Sequence, residues 1–450
     1  MNQKLRSEIS DEFKWDLTSI YADKKEFEKD ILECTNLINK MKQCENILEN
    51  ADNLYCCIKL EYDTARILDK LYMYAHLSLD TDTTNVEAQE MVGKVKNLFK
   101  EYDEVTSFIK PTLLKCDYNL IEKYYIEKPE LKEYEIVLKD LFRYKEHTLT
   151  ENEEMIVSKL SKALTSSSDT YEKLTDSDMA FGIIKDEQNN DVELTSSNYS
   201  KYLKSKDRSV RKAAFDMTYE TFSKYKNTIA STYIGDIEAN ASLAKIYKFS
   251  SALEASLFND DVNTKVYDKL IETVSNNLEP LYRYYEIKRK KLFLEQLHLY
   301  DTYVSIVNES TKEYTFEEAK ENVKKALSVL GEKYISDLDR AFTEKWIDIY
   351  NNKGKRSGAY SSGSYDTNPY LLLNFEGTLN DVSTLAHELG HSMHSYYSRN
   401  NNNYQNSGYK IFVAEVASTV NELLLAFYNL KNAETTNEKL IILNDLLDLF

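Results

Sequence analysis

The chain has 450 residues, 42% of them hydrophobic, and a formal net charge of -18. That length exceeds what one simple core accommodates, so two or three domains or lobes are expected, and the apolar content excludes disorder over most of the chain. The acidic balance excludes a protein that grips nucleic acid through its phosphates.

The N-terminal stretch MNQKLRSEISDEFKWDL has no apolar segment of the kind a signal peptide carries. Only 10 glycines and 4 prolines interrupt the chain, and so few breakers predict long helices and a mainly α fold. From about residue 20 to 350 the pattern is mostly helical. Ala88, Met91, Val92, Val95, Leu98 and Phe99, for example, fall on one helix face, with Glu87, Glu90, Lys94 and Lys96 around the rest. Pro111 and Pro129 mark helix starts or connections. No run of about 18 apolar residues occurs, so no membrane span is expected. The five cysteines (Cys34, Cys44, Cys56, Cys57 and Cys116) are odd in number and contain no Cys-x-x-Cys pair. They predict a reducing, cytoplasmic compartment. Between Ala180 and Ser200 an apolar piece, an Asn-rich turn and a second short piece predict a hairpin at a domain boundary.

The text changes after Lys353. Seven of the 10 glycines lie at or beyond Gly331, and Gly354 to Gly363 is expected to be a flexible polar loop. Tyr370 to Phe375 has the length and composition of a strand, fit either for a buried core or for pairing with an extended peptide. Asn380 or Asp381 then caps a helix whose apolar positions are Val382, Leu385, Ala386, Leu389, Met393 and Tyr396. After an Asn-rich loop, a second helix runs from about Phe412 to Leu430. Its apolar face is read as Val413, Val416, Ala417, Val420, Leu423, Leu424 and Phe427.

The first of those helices contains His387-Glu388-Leu389-Gly390-His391, and the whole chain has only 6 histidines. Residues four apart share a helix face, so both imidazoles can reach one tetrahedral zinc while Glu388 faces its open side. A catalytic zinc needs a third protein ligand and a free position for water. A metzincin would place a histidine ten residues after His387, but that position is Tyr397. The candidates are therefore carboxylates of the following helix, Glu415 and Glu422. The first is favoured as ligand, the second as acceptor for the other ring nitrogen of a ligand histidine. His394 faces nearly the same way as His391 and is read as a wall of the site or a substrate contact. His76, His147 and His298 sit in ordinary helical text.

The run KRSGAYSSGSYDTNPYLLLNFEGTLNDVSTLAHELGHSMHS, followed by FVAEVASTVNE, resembles the oligoendopeptidase F family, relatives of thimet oligopeptidase. WDLTSIY (Trp15 to Tyr21) and LSKALTSSSDTYEKL (Leu160 to Leu174) are similar to it as well, so the resemblance spans nearly the whole chain. It implies a mainly α, multi-lobed zinc metallopeptidase with a deep substrate channel and a small β-sheet beside the metal helix. The expected parts are an N-terminal helical lobe over 1–110, a helical segment over 111–190, and a zincin catalytic domain over 191–450. The implied activity is cleavage of short, unfolded oligopeptides by a zinc-bound water, with one Zn2+ on His387, His391 and Glu415 and with Glu388 as general base. Gly358 and Ala359 match a loop that the family places beside the substrate. Family members continue past the ligand helix, where a later histidine and tyrosines bind substrate, and no residue here matches those. A C-terminally truncated member is therefore expected, or alternatively a remnant that binds zinc and peptide with weak or no turnover.

Overall fold

The computed structural model describes residues 4–307 and 312–448, without the side chains of Glu151 and Asp448. The fold is mainly α, 71% helical. The chain forms two compact units, one of Met1–Lys145 with Ser310–Phe450 and one of Glu146–Glu309. This differs from the three contiguous parts read from sequence, and the core of the first unit explains why. Trp15, Phe27, Leu68 and Leu77 share one cluster with Trp346, Leu371, Leu385 and Leu389. The N-terminal helices thus bury their apolar faces against the segment that carries the His-Glu-x-x-His motif.

In the first unit, helices α1 (Lys24–Met41), α2 (Ala51–Thr81) and α3 (Val86–Thr106) pack on one another. The α3 face read from sequence is the one that is used, with Ala88, Val92, Val95 and Leu98 buried. Each of the three helices starts at an Asp or Asn whose side chain accepts a first-turn backbone N–H. Pro129 opens a short 3-10 helix, whereas Pro111 lies inside the first turn of the short helix Ile109–Lys115.

The second unit holds the hairpin foreseen from sequence, β1 (Gly182–Lys185) paired antiparallel with β2 (Asp191–Leu194). Asp186 shapes its turn, accepting the N–H groups of Gln188 (2.9 Å) and Asn190 (2.8 Å). The hairpin is not a boundary. It lies within this unit, where Phe181, Ile184, Leu194 and Ala214 form a small core. Nearby, buried Asp301 is clamped by Arg208 (2.9 Å) and Arg211 (2.8 Å).

Back in the first unit, α4 (Phe316–Leu327) and α5 (Glu332–Thr343) lead to a three-stranded sheet. Its strands are β3 (Ile347–Asp348), β4 (Tyr360–Ser362) and β5 (Tyr370–Leu372), in the order β3-β5-β4. Parallel pairing sets Ile347 opposite Leu371, and antiparallel pairing sets Ser361 opposite Leu371. Two expectations change here. First, β5 cannot take up a peptide, because both of its edges are paired and Tyr370, Leu371 and Leu372 are wholly buried. Second, the glycine-rich stretch is not simply a loop, since Tyr360–Ser362 is the edge strand β4.

Helices α6 (Leu379–Asn401), α7 (Ile411–Asn432) and α8 (Thr436–Asp448) complete the unit. The cap of α6 is Thr378 rather than Asn380 or Asp381. Its hydroxyl accepts the Asp381 N–H (3.1 Å), and the Asp381 carboxylate accepts the Thr378 N–H (2.9 Å). Among the described residues, α7 alone is long and apolar enough to cross a membrane by length and mean hydropathy, which amends the expectation of no such segment. Leu449 and Phe450, at the end of the helical text of α8, lie outside the described residues.

Because Leu371 lies in the central strand and is wholly buried, Leu371→Ala is expected to cost about 2–5 kcal/mol of stability. Urea denaturation of the two proteins measures it, and a loss below about 1 kcal/mol would contradict the core assignment.

Candidate metal centre

Helix α6 fills its inner face with Val382, Leu385, Ala386, Leu389 and Met393, all buried. That face fixes the rotation of the helix. His387 and His391 emerge at its flank, and their Nε2 atoms lie 3.1 Å apart. Glu415 of α7 brings Oε2 to 3.4 Å from His387 Nε2 and 3.3 Å from His391 Nε2. A tetrahedral ion with ligands at about 2.0–2.1 Å has ligand-to-ligand edges of about 3.3–3.4 Å. The triangle therefore has the dimensions of three zinc ligands.

The protonation pattern points the same way. His387 Nδ1 faces Glu422 Oε2 at 3.3 Å, and the His391 ring bonds the backbone carbonyl of Ala414. With both Nε2 atoms in the triangle, the Nδ1 atoms are the donors to these acceptors. Two imidazole lone pairs and a carboxylate oxygen then converge. Such a set repels itself unless a cation sits among them. Glu422 is mostly buried behind His387, its side chain 13% exposed, while Glu415 is open to solvent at 64%. Glu415 thus lies on the open side of the two rings, and Glu422 lies behind one of them.

Glu388 is buried beside the triangle and accepts the backbone N–H of Ser361 on β4. Burial pushes its carboxyl up to about 7. The Glu422 carboxylate pulls His387 upward, and burial pulls His391 downward. The outer edge of β4 thus faces the metal helix, and a second link, Ser361 Oγ to Ser392 Oγ at 2.8 Å, holds it there. Gly358, with φ of 84°, begins the turn into that strand. Asn374 pins the turn by donating to the carbonyls of Gly358 (2.7 Å) and Arg356 (3.0 Å). Gly358 and Ala359 therefore lead into the edge strand rather than joining the ligand cluster.

His394 does not join the triangle. Its ring stacks on Tyr409 with centroids 3.8 Å apart, and burial lowers its pKa. The remaining histidines are structural. His76 pairs with Asp80, His147 stacks on Phe249, and His298 stacks on Tyr300.

The second helix, α7, meets α6 with only part of the face read from sequence: Ala417, Leu423 and Leu424 are half-buried, with Leu424 packed on the core. Val413, Val416, Val420 and Phe427 are exposed, while Ser418, Asn421 and Leu425 are buried. The crossing point is Gly390, inside the motif. A Cβ there would lie 2.5 Å from Ser418 Cα and 2.7 Å from the Ala417 carbonyl, so the two backbones touch. Only small residues fit such a crossing. Asn421 locks it by donating to the Ala386 carbonyl at 3.1 Å and accepting from the Tyr334 hydroxyl at 3.3 Å. Ser418 steadies the ligand itself, donating to Glu415 Oε2 at 2.8 Å. None of these roles was read from sequence. The signal available was Ala414, Ala417, Ser418 and Asn421 at helical spacing opposite a motif glycine.

Gly390→Ala should therefore force α7 away and destabilise the metal-free protein by about 1–3 kcal/mol. Thermal and urea melts in the presence of chelator read this directly, and an unchanged melt would refute backbone contact at this crossing.

With that geometry established, comparison with known proteins is informative. The profile of Peptidase family M3 matches residues 201–450, and that of Oligopeptidase F matches residues 113–181. Oligopeptidase PepF of Bacillus subtilis is 39% identical over 446 residues, covering 99% of this chain and 67% of that protein. Group B oligopeptidase PepB of Streptococcus agalactiae is 36% identical, covering 99% and 74%. A crystal structure of a Chlamydophila abortus protein superposes with a TM-score of 0.91 at 36% identity, covering 100% of this chain and 76% of that one. Oligoendopeptidase-F from Enterococcus faecium superposes with a TM-score of 0.66 at 30% identity, covering 95% and 71%. The chain belongs to peptidase family M3, among the oligoendopeptidase F proteins, and is a metalloendopeptidase acting on oligopeptides.

Proposed function

We propose that this chain hydrolyses peptide bonds in short, unfolded peptides with one zinc ion held by His387, His391 and Glu415 and with Glu388 as general base. The observation that carries the reading is the triangle of 3.1, 3.3 and 3.4 Å, formed by three converging lone-pair donors with the buried carboxylate of Glu388 beside it. The donor set suits zinc, two imidazoles and one carboxylate with the solvent side left open.

When bound, zinc acidifies a water molecule and polarises the oxygen of the carbonyl under attack. The rest falls to the chain's own residues. Glu388 takes a proton from the attacking water at its carboxylate oxygen and later delivers it to the leaving amine. Its burial keeps its affinity for that proton high enough for the second transfer. The Ser361 N–H aims the carboxylate. Glu422 and the Ala414 carbonyl keep both Nδ1 atoms protonated, leaving each Nε2 free as a ligand. The five cysteines are free, which suits a reducing compartment, and we place the enzyme in the cytoplasm on that ground.

Two substitutions test the assignment. Glu388→Gln should retain one zinc per chain by elemental analysis yet lower kcat on a quenched fluorescent oligopeptide by about 10²–10⁴. Equal turnover by this variant, or chelator-resistant cleavage by the wild type, would sink the mechanism. Glu422→Ala should weaken zinc binding by about 10–100-fold in a chelator competition. An unchanged affinity there would remove Glu422 from its supporting role without disturbing the ligand set.

A further inference from the structure

Beyond the metal triangle, the last turns of α6 border a cavity of about 440 Å³ within the first compact unit. Tyr62, Tyr404 and Tyr409 wall it, and Ser364 and Arg399 line it. Arg399 Nη2 donates to the Gly363 carbonyl at 2.6 Å, but its Nη1 is buried without a partner, as is Ser364 Oγ. Gly363 permits this, since a Cβ there would stand 2.6 Å from Arg399 Nη1. Asp69, the carboxylate that lines the same cavity, already holds the Tyr404 hydroxyl at 2.6 Å. Asp69 acts on Arg399 electrostatically across the cavity, but among the described residues no carboxylate forms an ion pair with it. Burial pulls the guanidinium down to about 10. A buried cation with half of its donors unused is costly unless an anion reaches it.

Two elements run from the metal centre to this cavity. Along α6, His391, Ser395 and Arg399 recur at four-residue spacing, and eight residues of helix cover about 12 Å. Along the edge strand, Ser361 sits at Glu388, and the chain continues through Gly363, Ser364 and Tyr365 onto the cavity wall. An extended peptide covers about 12 Å in three to four residues.

We propose that Arg399 and Ser364 form a subsite that takes a carboxylate of the peptide substrate, three to four residues from the cleaved bond. This rests on the peptidase reading above. The carboxylate belongs either to an acidic side chain or to the chain terminus.

The test uses the full chain, zinc-loaded and made inactive by Glu388→Gln, with fluorescent peptides read by anisotropy. One peptide set scans Asp against Asn along the sequence. A second compares a free C-terminal carboxylate with its amide. A carboxylate at one position should bind about tenfold more tightly than its amide counterpart, as a charge-assisted pair in a half-buried site does. A preference in the Asp scan assigns the source to a side chain, and one in the terminal pair assigns it to the C-terminus. Adding Arg399→Gln should erase the preference while leaving the amide peptides bound as before. Ser364→Ala, which removes only a hydroxyl, should lower the preference about threefold and serves if the arginine variant does not fold. Equal binding of acid and amide peptides, a preference that survives Arg399→Gln, or one untouched in folded Ser364→Ala overturns the subsite. Separately, wild-type protein that binds the carboxylate peptides selectively yet cleaves none would overturn the peptidase reading and leave the subsite standing.

Discussion

The contact between the backbones of α6 and α7 at Gly390 and Ser418 is the constraint on which the centre depends. Two imidazoles on one helix supply two corners of a metal triangle, but the third must come from another element within about 3.4 Å of both. A helix can bring a short carboxylate that close only if its axis approaches closely, and any side chain at position 390 would hold it off. The motif glycine thus sets the reach of Glu415. Small residues on α7 follow from the same demand.

The sheet answers a second demand, that Glu388 be dry yet correctly aimed, as its proposed role of general base requires. Tyr370, Leu371 and Leu372 are buried with both strand edges paired, which makes β5 a rigid backing for β4. The edge strand in turn presents the Ser361 N–H to Glu388. Burial alone would make the carboxyl too hard to ionise. A single backbone donor lowers that cost without adding a mobile charge. Tyr360 fixes the strand from its other side, donating its hydroxyl to buried Asp80 at 2.7 Å.

Much of this was legible in the sequence, and what was not has several physical causes. Periodicity located α3, the motif helix and the hairpin, because those elements bury apolar stripes at regular spacing. The motif's own chemistry pointed to His387, His391 and Glu388, whereas helix phase placed Glu415 and Glu422 on roughly the same face and did not tell them apart. The rule that apolar faces point inward held only in part for α7, where Leu424 packs on the core while Val413, Val416, Val420 and Phe427 are exposed. It also left β5 undecided between core and edge, because strand order is a property of pairing partners distant in sequence. The cap at Thr378 was missed for a smaller reason: Asp381 is a good cap by type, but its carboxylate serves better reaching back from the helix's third position. Arg399 gave no sign at all, since a lone arginine near a helix end reads as a solvated C-terminal cation.

The charges of the centre bind its parts into one thermodynamic unit. Glu388, Glu415 and Glu422 all lie around two histidines, and the charges on Glu415 and Glu422 add to the upward pull on Glu388. Left alone, that cluster resists ionisation of the base. A divalent cation in the triangle reverses the balance, since a nearby positive charge favours the carboxylate form. On the proposed reading, Glu388 would be most easily charged with a cation in the triangle and most easily protonated without one. The same coupling makes folding respond to the ion. Converging lone pairs are a strain that the folded chain bears and the unfolded chain does not, so a cation that relieves it stabilises the native state by mass action. The close crossing at Gly390 is what transmits this, because α7 cannot swing outward to separate the donors without giving up the Asn421 bonds to α6 and α5.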